Sequence, residues 1–411
     1  MSDAASRQGP LSHLRVLDLS RVLAGPFATQ NLADMGAEVI KVEKPGDGDD
    51  TRGWGPPFVK AGPGERGDSA YFLSANRNKK SITVDLASTQ GQQLIRRLAE
   101  QSDIVVENYK VGTLARYGLD YASLKALNPR LVYCSITGFG QSGPYAPRPG
   151  YDFVFQGMGG LMSITGIPDG QAGAAPMKVG VAVADLITAL YATSAILGAI
   201  EQRHVSGRGQ YIDIALLDCL IALTSYQALN WFVSGAVPQR LGNGHPNIVP
   251  YQVFACHGGH VILAVANDGQ FRSFARAVGK PEWADDPRFA VGAARSVNRD
   301  LLCGMVAALM LTRTMHEWIE LLEANNVPCG PINNIDQVFD DPQVRHRGMR
   351  MQMQHPGGPV SLLASPLRFG DTPVRYELPP PLLGQHTDEV LQHLLGLGAE
   401  EVAALRAQRV V

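Results

Sequence analysis

The 411-residue chain lacks the features that would place it outside the cell, in a membrane or on nucleic acid. It has only five cysteines (Cys134, Cys219, Cys256, Cys303 and Cys329), an odd number, scattered and without a C-x-x-C pair. That argues against a disulfide framework and for reduced thiols in a reducing compartment. Neither sign of charge is in excess, with 36 Lys and Arg against 38 Asp and Glu. Without a global field, neither nucleic acid nor an anionic membrane is an expected partner, and an anionic ligand must be held by local groups. Long apolar runs are missing as well. The most apolar stretch, 181–200, carries Asp185 and small polar residues and falls short of a convincing membrane span. The opening MSDAASRQGPLSHLRVLDL has no cationic segment leading into an apolar run, so no secretory leader is expected and a cytoplasmic location is the default. There is no H-E-x-x-H, Walker loop or G-x-S-x-G elbow, no internal repeat and no low-complexity tract.

What remains is an ordinary globular composition, 45% apolar and 18% charged. The chain is long enough for two domains, because single cores stop growing near ~250–300 residues. Its first third alternates strand and helix. LRVLDLS, EVIKVEK, KKSITVDL, DIVVENY and LVYCSITGFG read as strands. Between them, AGPFATQNLADMGA, STQGQQLIRRLAEQ (with a Ser N-cap) and SLKALNP read as helices. This is the pattern of a parallel sheet covered on both faces. The segments 45–68 and 166–180 are rich in Gly, Pro and Asp and read as loops. A long helix, LITALYATSAILGAIEQRHV, stops at Ser206-Gly207, and another surrounds ALLDCLIALTSYQAL. Near Gly242 the character changes. PYQVFACHGGHVILAVA predicts a hairpin around a Gly-Gly turn, and helices to about Asn326 complete a smaller α+β unit. The tail reads as extended, packing back on the first domain.

Several motifs have bland readings. Gly138-Phe-Gly140-Gln-Ser-Gly143 matches G-x-G-x-x-G after a strand, but Pro144, Pro147 and Pro149 stop a helix from opening there, so a tight turn is expected. Cys256-His257 with His260 lacks a third converging ligand, and no metal site is expected. Asp47, Asp49 and Asp50 lie in a glycine-rich loop and read as solvated. Two acids stand alone in apolar sequence, Asp185 in VGVAVADLITALYA and Asp218, read as mid-helix, in IALLDCLIAL. Such a carboxylate needs a partner or a job. Asp185 fits a helix N-cap, and it also fits a nucleophile, since a helix N-terminus keeps a carboxylate ionised. Pattern alone leaves both readings open. Basic and aromatic residues crowd the first third, among them Lys44, Arg52, Arg77, Lys79, Lys80, Lys110 and Arg116. They read either as a ligand-binding carboxyl edge or as a solvated face.

From about Leu14 to Gln385 the chain resembles the family III CoA-transferases, a group that includes α-methylacyl-CoA racemases. The blocks that carry the likeness include LDLSRVLAGPFATQNLADMGAEVIKVEKPGDGDDTR, NRNKKSITVDL, ENYKVGTLARYGL, GYDFVFQGMGGLMSITG, VGVAVADL and GRGQYIDIALLD. The resemblance implies Asp185 as a nucleophile that forms an acyl anhydride and then a CoA thioester. It implies no permanently bound cofactor, with coenzyme A as substrate and product. It places Leu23, Ala24, Lys44, Val84, Asn108, Tyr109, Arg116 and Tyr151 around CoA, and Gly242, Asn243, Gly244 and His245 in a mobile loop over the nucleophile. The racemase branch is disfavoured, because Tyr151 replaces the His of its GHD block and Asn267 its later acid.

RVLAGPFAT, GDDTRGWGPPFV, NRNKKS, IVPYQ, GPINN and PPLLGQHT resemble the succinyl-CoA:glutarate branch. Small carboxylic acids are then the expected substrates. Glutarate leads, with hydroxymethylglutarate, itaconate, mesaconate, citramalate and malate open. Arg77 is the expected cation for the distal carboxylate, by virtue of its bidentate fork. The implied fold is a doubly wound α/β domain from both chain ends, 1–228 and 331–411, with a smaller α+β domain over 229–330. The implied assembly is an interlocked homodimer. A non-catalytic CoA-binding protein is the alternative from another functional class.

Overall fold

The computed structural model describes residues 9–62 and 65–411. They fall into two compact units. The larger is drawn from residues up to Leu161, Lys178–Ala236 and Arg345–Val411, and the smaller from Met162–Met177 and Val237–Val344. The smaller unit thus takes two stretches of chain, where the sequence reading expected one insertion over 229–330.

Six parallel strands form the centre of the larger unit: β1 (Arg15–Asp18), β2 (Glu38–Glu43), β3 (Lys79–Thr83), β4 (Ile104–Glu107), β5 (Val132–Thr137) and β6 (Tyr211–Ala215). Their spatial order is β6-β5-β4-β1-β2-β3. The direction of winding reverses between β1 and β4, and such sheets bind ligands outside the strand ends at that point. β1, β2, β4 and β5 are almost wholly buried, as strands covered on both faces must be. On one face Val16, Val39, Ile104, Val106 and Ile136 meet helices α1 (Ala24–Asp34) and α4 (Val183–Ser206). On the other, Leu17, Ile40, Ile82, Val84 and Val105 meet α2 (Thr89–Glu100), together with Val390, Leu391, Val402 and Val410 from the tail. The tail also closes on the sheet edge, where the Asp85 N–H donates to the Val410 carbonyl and the His386 N–H to that of Ser81.

α4 is long and apolar enough to cross a membrane by composition. Its alanine and isoleucine face is nevertheless spent on the sheet, with Ala184, Ala189, Ala192, Ile196 and Ala199 buried. It ends at Gly207, in the left-handed region at φ 72°. Several elements differ from the sequence reading, among them the strands Phe58–Gly62 and Glu65–Ser69, which pair antiparallel in a segment read as a loop. β6 is a strand that was not expected. The helix expected through ALLDCLIALTSYQAL breaks into α5 (Leu216–Leu223) and α6 (Ser225–Ser234), which are bent by 71°. The tail forms a hairpin, Arg350–His355 with Gly358–Leu363.

In the smaller unit, Tyr251–Cys256 and Gly259–Ala264 pair antiparallel, with Cys329–Gly330 added at the edge. The connecting turn is His257-Gly258 rather than Gly-Gly. Phe254, Val261, Leu263, Phe271, Phe274 and Trp318 form its separate core.

Candidate active site

Asp185 is the third residue of α4. It is not the cap. Ala182 holds that position, with no side-chain cap bond. The cap expected of Asp185 comes instead from Asp152, first residue of the short helix α3 (Asp152–Met158), whose Oδ1 accepts from the Ala184 N–H at 2.8 Å. The Gln156 side chain steadies this arrangement. It donates to Asp152 Oδ2 at 2.8 Å and accepts from the Val179 N–H at 2.8 Å. Relieved of capping, the half-buried Asp185 carboxylate faces a cavity of about 270 Å3.

That cavity lies at the switch point. Arg21, Val22 and Ala24 follow β1, Asn108, Tyr109 and Lys110 follow β4, and Arg148, Tyr151 and Asp185 complete the lining. Ala24, first residue of α1, lines the same cavity as Asp185, and its N–H favours the charged form of that carboxylate. Burial is the main influence on Asp185 and pushes its pKa up to about 7. The Asp152 charge pushes the same way, and the Ala24 N–H opposes both. Tyr71 sits in the same field, raised to about 12 by burial and then by Asp185, Asp152 and Asp49. The group is therefore a carboxylate with a tuned proton affinity at two helix N-termini, open to a pocket on one side. A pKa near neutrality makes it more nucleophilic than an ordinary carboxylate and still ionisable at physiological pH.

A second cavity of about 380 Å3 shares Arg21 and Tyr109 with the first and extends to Lys44, Asp85 and Val84 beside β2 and β3. The two form a crevice along the carboxyl edge that brings together Ala24, Lys44, Val84, Asn108, Tyr109 and Tyr151 with Asp185. Lys44 is exposed and donates to Asp47 at 2.5 Å. The Asn108 side chain is engaged with the Arg21 backbone, donating at 2.6 Å and accepting at 2.9 Å. Leu23 is buried and Arg116 exposed, and neither lines either cavity, although Thr113 and Tyr117 beside Arg116 line the second.

Arg77 is elsewhere, and this corrects the role expected for it. Its Nε and Nη2 are closed on Asp34 at 2.9 and 2.5 Å, its Nη1 donates to the Leu363 carbonyl at 2.8 Å, and it is 5% exposed. A buried guanidinium with all its faces engaged has nothing left for a substrate. Arg52 and Lys79 are likewise buried in ion pairs, with Glu43 and Asp18. Asp49, read as solvated, is buried against Lys41 at 2.8 Å. Asp218 is exposed in the first turn of α5 rather than mid-helix. The Gly138–Gly143 segment makes turns with no following helix, Gly140 and Gly143 having φ of 87° and 91°. Gly242, Asn243, Gly244 and His245 form an ordered turn in the smaller unit, where the Gly244 N–H donates to the Leu241 carbonyl and the His245 N–H to that of Tyr251. Asp152 and Gln156 were not singled out from sequence, and Tyr71 only as one of the aromatic residues crowded in the first third. The Asp of GYDF next to Tyr151 was the signal available for the first of them.

The sequence model of CoA-transferase family III matches residues 11–387. The chain is a family III CoA-transferase. This enzyme is 50% identical over 395 residues to the succinate–glutarate CoA-transferase of Agrobacterium fabrum, covering 96% of this chain and 98% of the relative. It is 42% identical over 403 residues to the human succinyl-CoA:glutarate CoA-transferase, covering 98% and 90%. Among solved structures it resembles a CaiB/BaiF family protein from Brucella suis, with a TM-score of 0.82 and 46% identity over 94% of this chain and all of the other.

Proposed function

We propose that this CoA-transferase moves CoA from succinyl-CoA to glutarate, with Asp185 carrying first the acyl group and then the thiol. The relatives at 42% and 50% identity, named for that exchange, support the substrates. The observation that carries the mechanism is the Asp185 carboxylate, uncapped and facing the cavity at the N-termini of α1 and α4. In the first step Asp185 attacks the thioester carbonyl, and the CoA thiolate leaves an aspartyl–succinyl anhydride. The thiolate returns to the aspartyl carbonyl and releases succinate, giving an aspartyl-CoA thioester. Glutarate attacks that thioester, and a second anhydride forms as the thiolate leaves again. The thiolate then takes the glutaryl group and frees the Asp185 carboxylate. Each addition builds negative charge on a carbonyl oxygen, and the Ala24 N–H with the helix N-termini can accommodate it.

In this reading the crevice takes CoA with its adenine by Val84, its phosphates by Lys44 and its thiol end by Ala24, Tyr109 and Tyr151. Arg148 replaces Arg77 as the cation for the distal carboxylate. It lines the Asp185 cavity, stacks on Tyr145 at 4.5 Å, and among the described residues has no acidic partner. A homodimer is supported by α6, none of whose side chains is buried although it carries Tyr226, Leu229, Trp231, Phe232 and Val233.

Incubation with succinyl-CoA followed by peptide mass spectrometry tests the mechanism. The expected result is a hydroxylamine-labile adduct on the Asp185 peptide, absent from Asp185→Asn. Exchange at the wild-type rate by a folded Asp185→Asn enzyme free of deamidation overturns it. A panel of glutarate, hydroxymethylglutarate, itaconate, mesaconate, citramalate and malate with succinyl-CoA tests the acceptor, glutarate giving the highest kcat/KM.

A further inference from the structure

The turn between β1 and α1 is held in an unusual way. From Ser20 to the Val22 N–H, each polar backbone group is bonded to a side chain. The Ser20 N–H donates to Asp18 Oδ1 at 3.0 Å, and the Ser20 carbonyl accepts from Lys41 Nζ at 3.0 Å. Asn108 takes both groups of Arg21. The Val22 N–H donates to both oxygens of Asp49, each at 3.2 Å. Val22 sits at φ 71°. A β-branched residue in that region is strained and persists only where its surroundings impose it. What imposes it here is Lys41 and Asp49, both with fully buried side chains and paired at 2.8 Å beneath the turn. Gly25 closes the turn from the other side, since a Cβ there would stand 2.3 Å from the Ser20 side chain.

Two residues beyond Val22, Ala24 lines the cavity beside Asp185, where its N–H favours the ionised carboxylate. We infer that the buried Lys41–Asp49 pair is a positioning device for acyl transfer, forcing the Ser20–Val22 turn that aims the Ala24 N–H at the Asp185 carboxylate. Neither side chain touches the reacting atoms. The Asp152 charge acts on Asp185 directly, Tyr71 shares its field, and Arg21, Lys110 and Arg148 line the same cavity. Removing the pair as a pair leaves the net charge unchanged, and Val22→Pro, which alters no charge at all, isolates the contribution of the turn. The inference rests on Asp185 being the nucleophile.

Two variants test it. Val22→Pro removes the N–H and fixes φ near about −65°, while every buried charge stays paired. Lys41→Met with Asp49→Leu replaces the pair by apolar side chains, a change that buried ion pairs often tolerate. Single-turnover formation of the hydroxylamine-labile Asp185 adduct is followed from about pH 5 to 9. Loss of one positioned donor costs on the order of 10²–10³ in rate. Both variants are therefore expected to acylate at least about tenfold more slowly. Their acid limbs should move up by about half a pH unit or more, because the lost hydrogen bond favoured the charged carboxylate. A purely structural pair would lower the melting temperature and leave the acid limb where it is. A folded variant with an unmoved limb, whatever its rate, overturns the inference. If the double variant does not fold, Val22→Pro decides. An unlabelled wild-type enzyme overturns the nucleophile and this inference together. A labelled wild type with unimpaired variants overturns the positioning role alone.

Discussion

Asp185 is a residue whose usefulness works against the stability of its fold. Its folded pKa of about 7 stands above the ordinary 3.8. The unfolded chain ionises it near its ordinary pKa and the native protein resists, so the native state loses stability as pH rises between those two values. Asp185→Asn should therefore match the wild type in stability below about pH 4 and exceed it by roughly 2–4 kcal/mol above pH 7. Denaturant titrations at the two ends of that range check it. Asp152→Asn removes the neighbouring negative charge, lowers the Asp185 pKa, and should shift the acid limb of kcat/KM to lower pH by about half to one unit. For the distal carboxylate, Arg148→Ala should raise KM for glutarate at least about tenfold over its effect on a monocarboxylate. Arg77→Ala should instead destabilise the fold by roughly 3–5 kcal/mol, by stranding Asp34, with no selective change in KM. Asp185 drew notice in sequence because a lone acid in VGVAVADL is conspicuous, but Asp218 stood out in the same way, and only the family resemblance chose between them. Arg77 misled because NRNKK shows the cations and hides Asp34, 43 positions away.

Elements whose signals are local came through, and those decided by tertiary context did not. The Ser88 side chain caps α2 by accepting from the Gly91 N–H, as STQG promised. The stop at Ser206-Gly207 is where the sequence put it, since glycine alone takes φ 72° without strain. Gly207→Ala should cost about 1 kcal/mol and leave kcat unchanged, measured by thermal melting beside the standard assay. β6 went unread although Tyr211 to Ile214 alternate polar and apolar as an edge strand does, because the run is only five residues long and leads directly into α5. The break between α5 and α6 has no Pro or Gly to announce it, and the positive φ of Ser225, 43°, belongs to the folded context. Helix α3 went unread because its work is done in space. It brings Asp152 to the first turn of α4, 32 residues on.

For the whole molecule, the repeating strand–helix pattern revealed the sheet, while the strand order became visible only in three dimensions. The β1–β4 reversal converts scattered residues after two strands into one crevice. The chain divides into a larger and a smaller unit, and the smaller has a core of its own. Removing residues 387–411 should strip Val390, Leu391, Val402 and Val410 from the sheet face and yield insoluble protein, scored by soluble expression. On the uncovered side of α6, Phe232→Glu with Val233→Glu should convert a dimer by light scattering into a monomer that still has native circular dichroism. The tail has a kinetic corollary. Leu17 and Leu391 share a core although more than 370 positions separate them. Chains dominated by such distant pairings close slowly, because loop entropy must be lost before any contact is gained. Refolding from denaturant should thus show the smaller unit, whose strands are close neighbours in sequence, regaining protection from hydrogen exchange well before β3, which waits for the far end of the polypeptide to arrive.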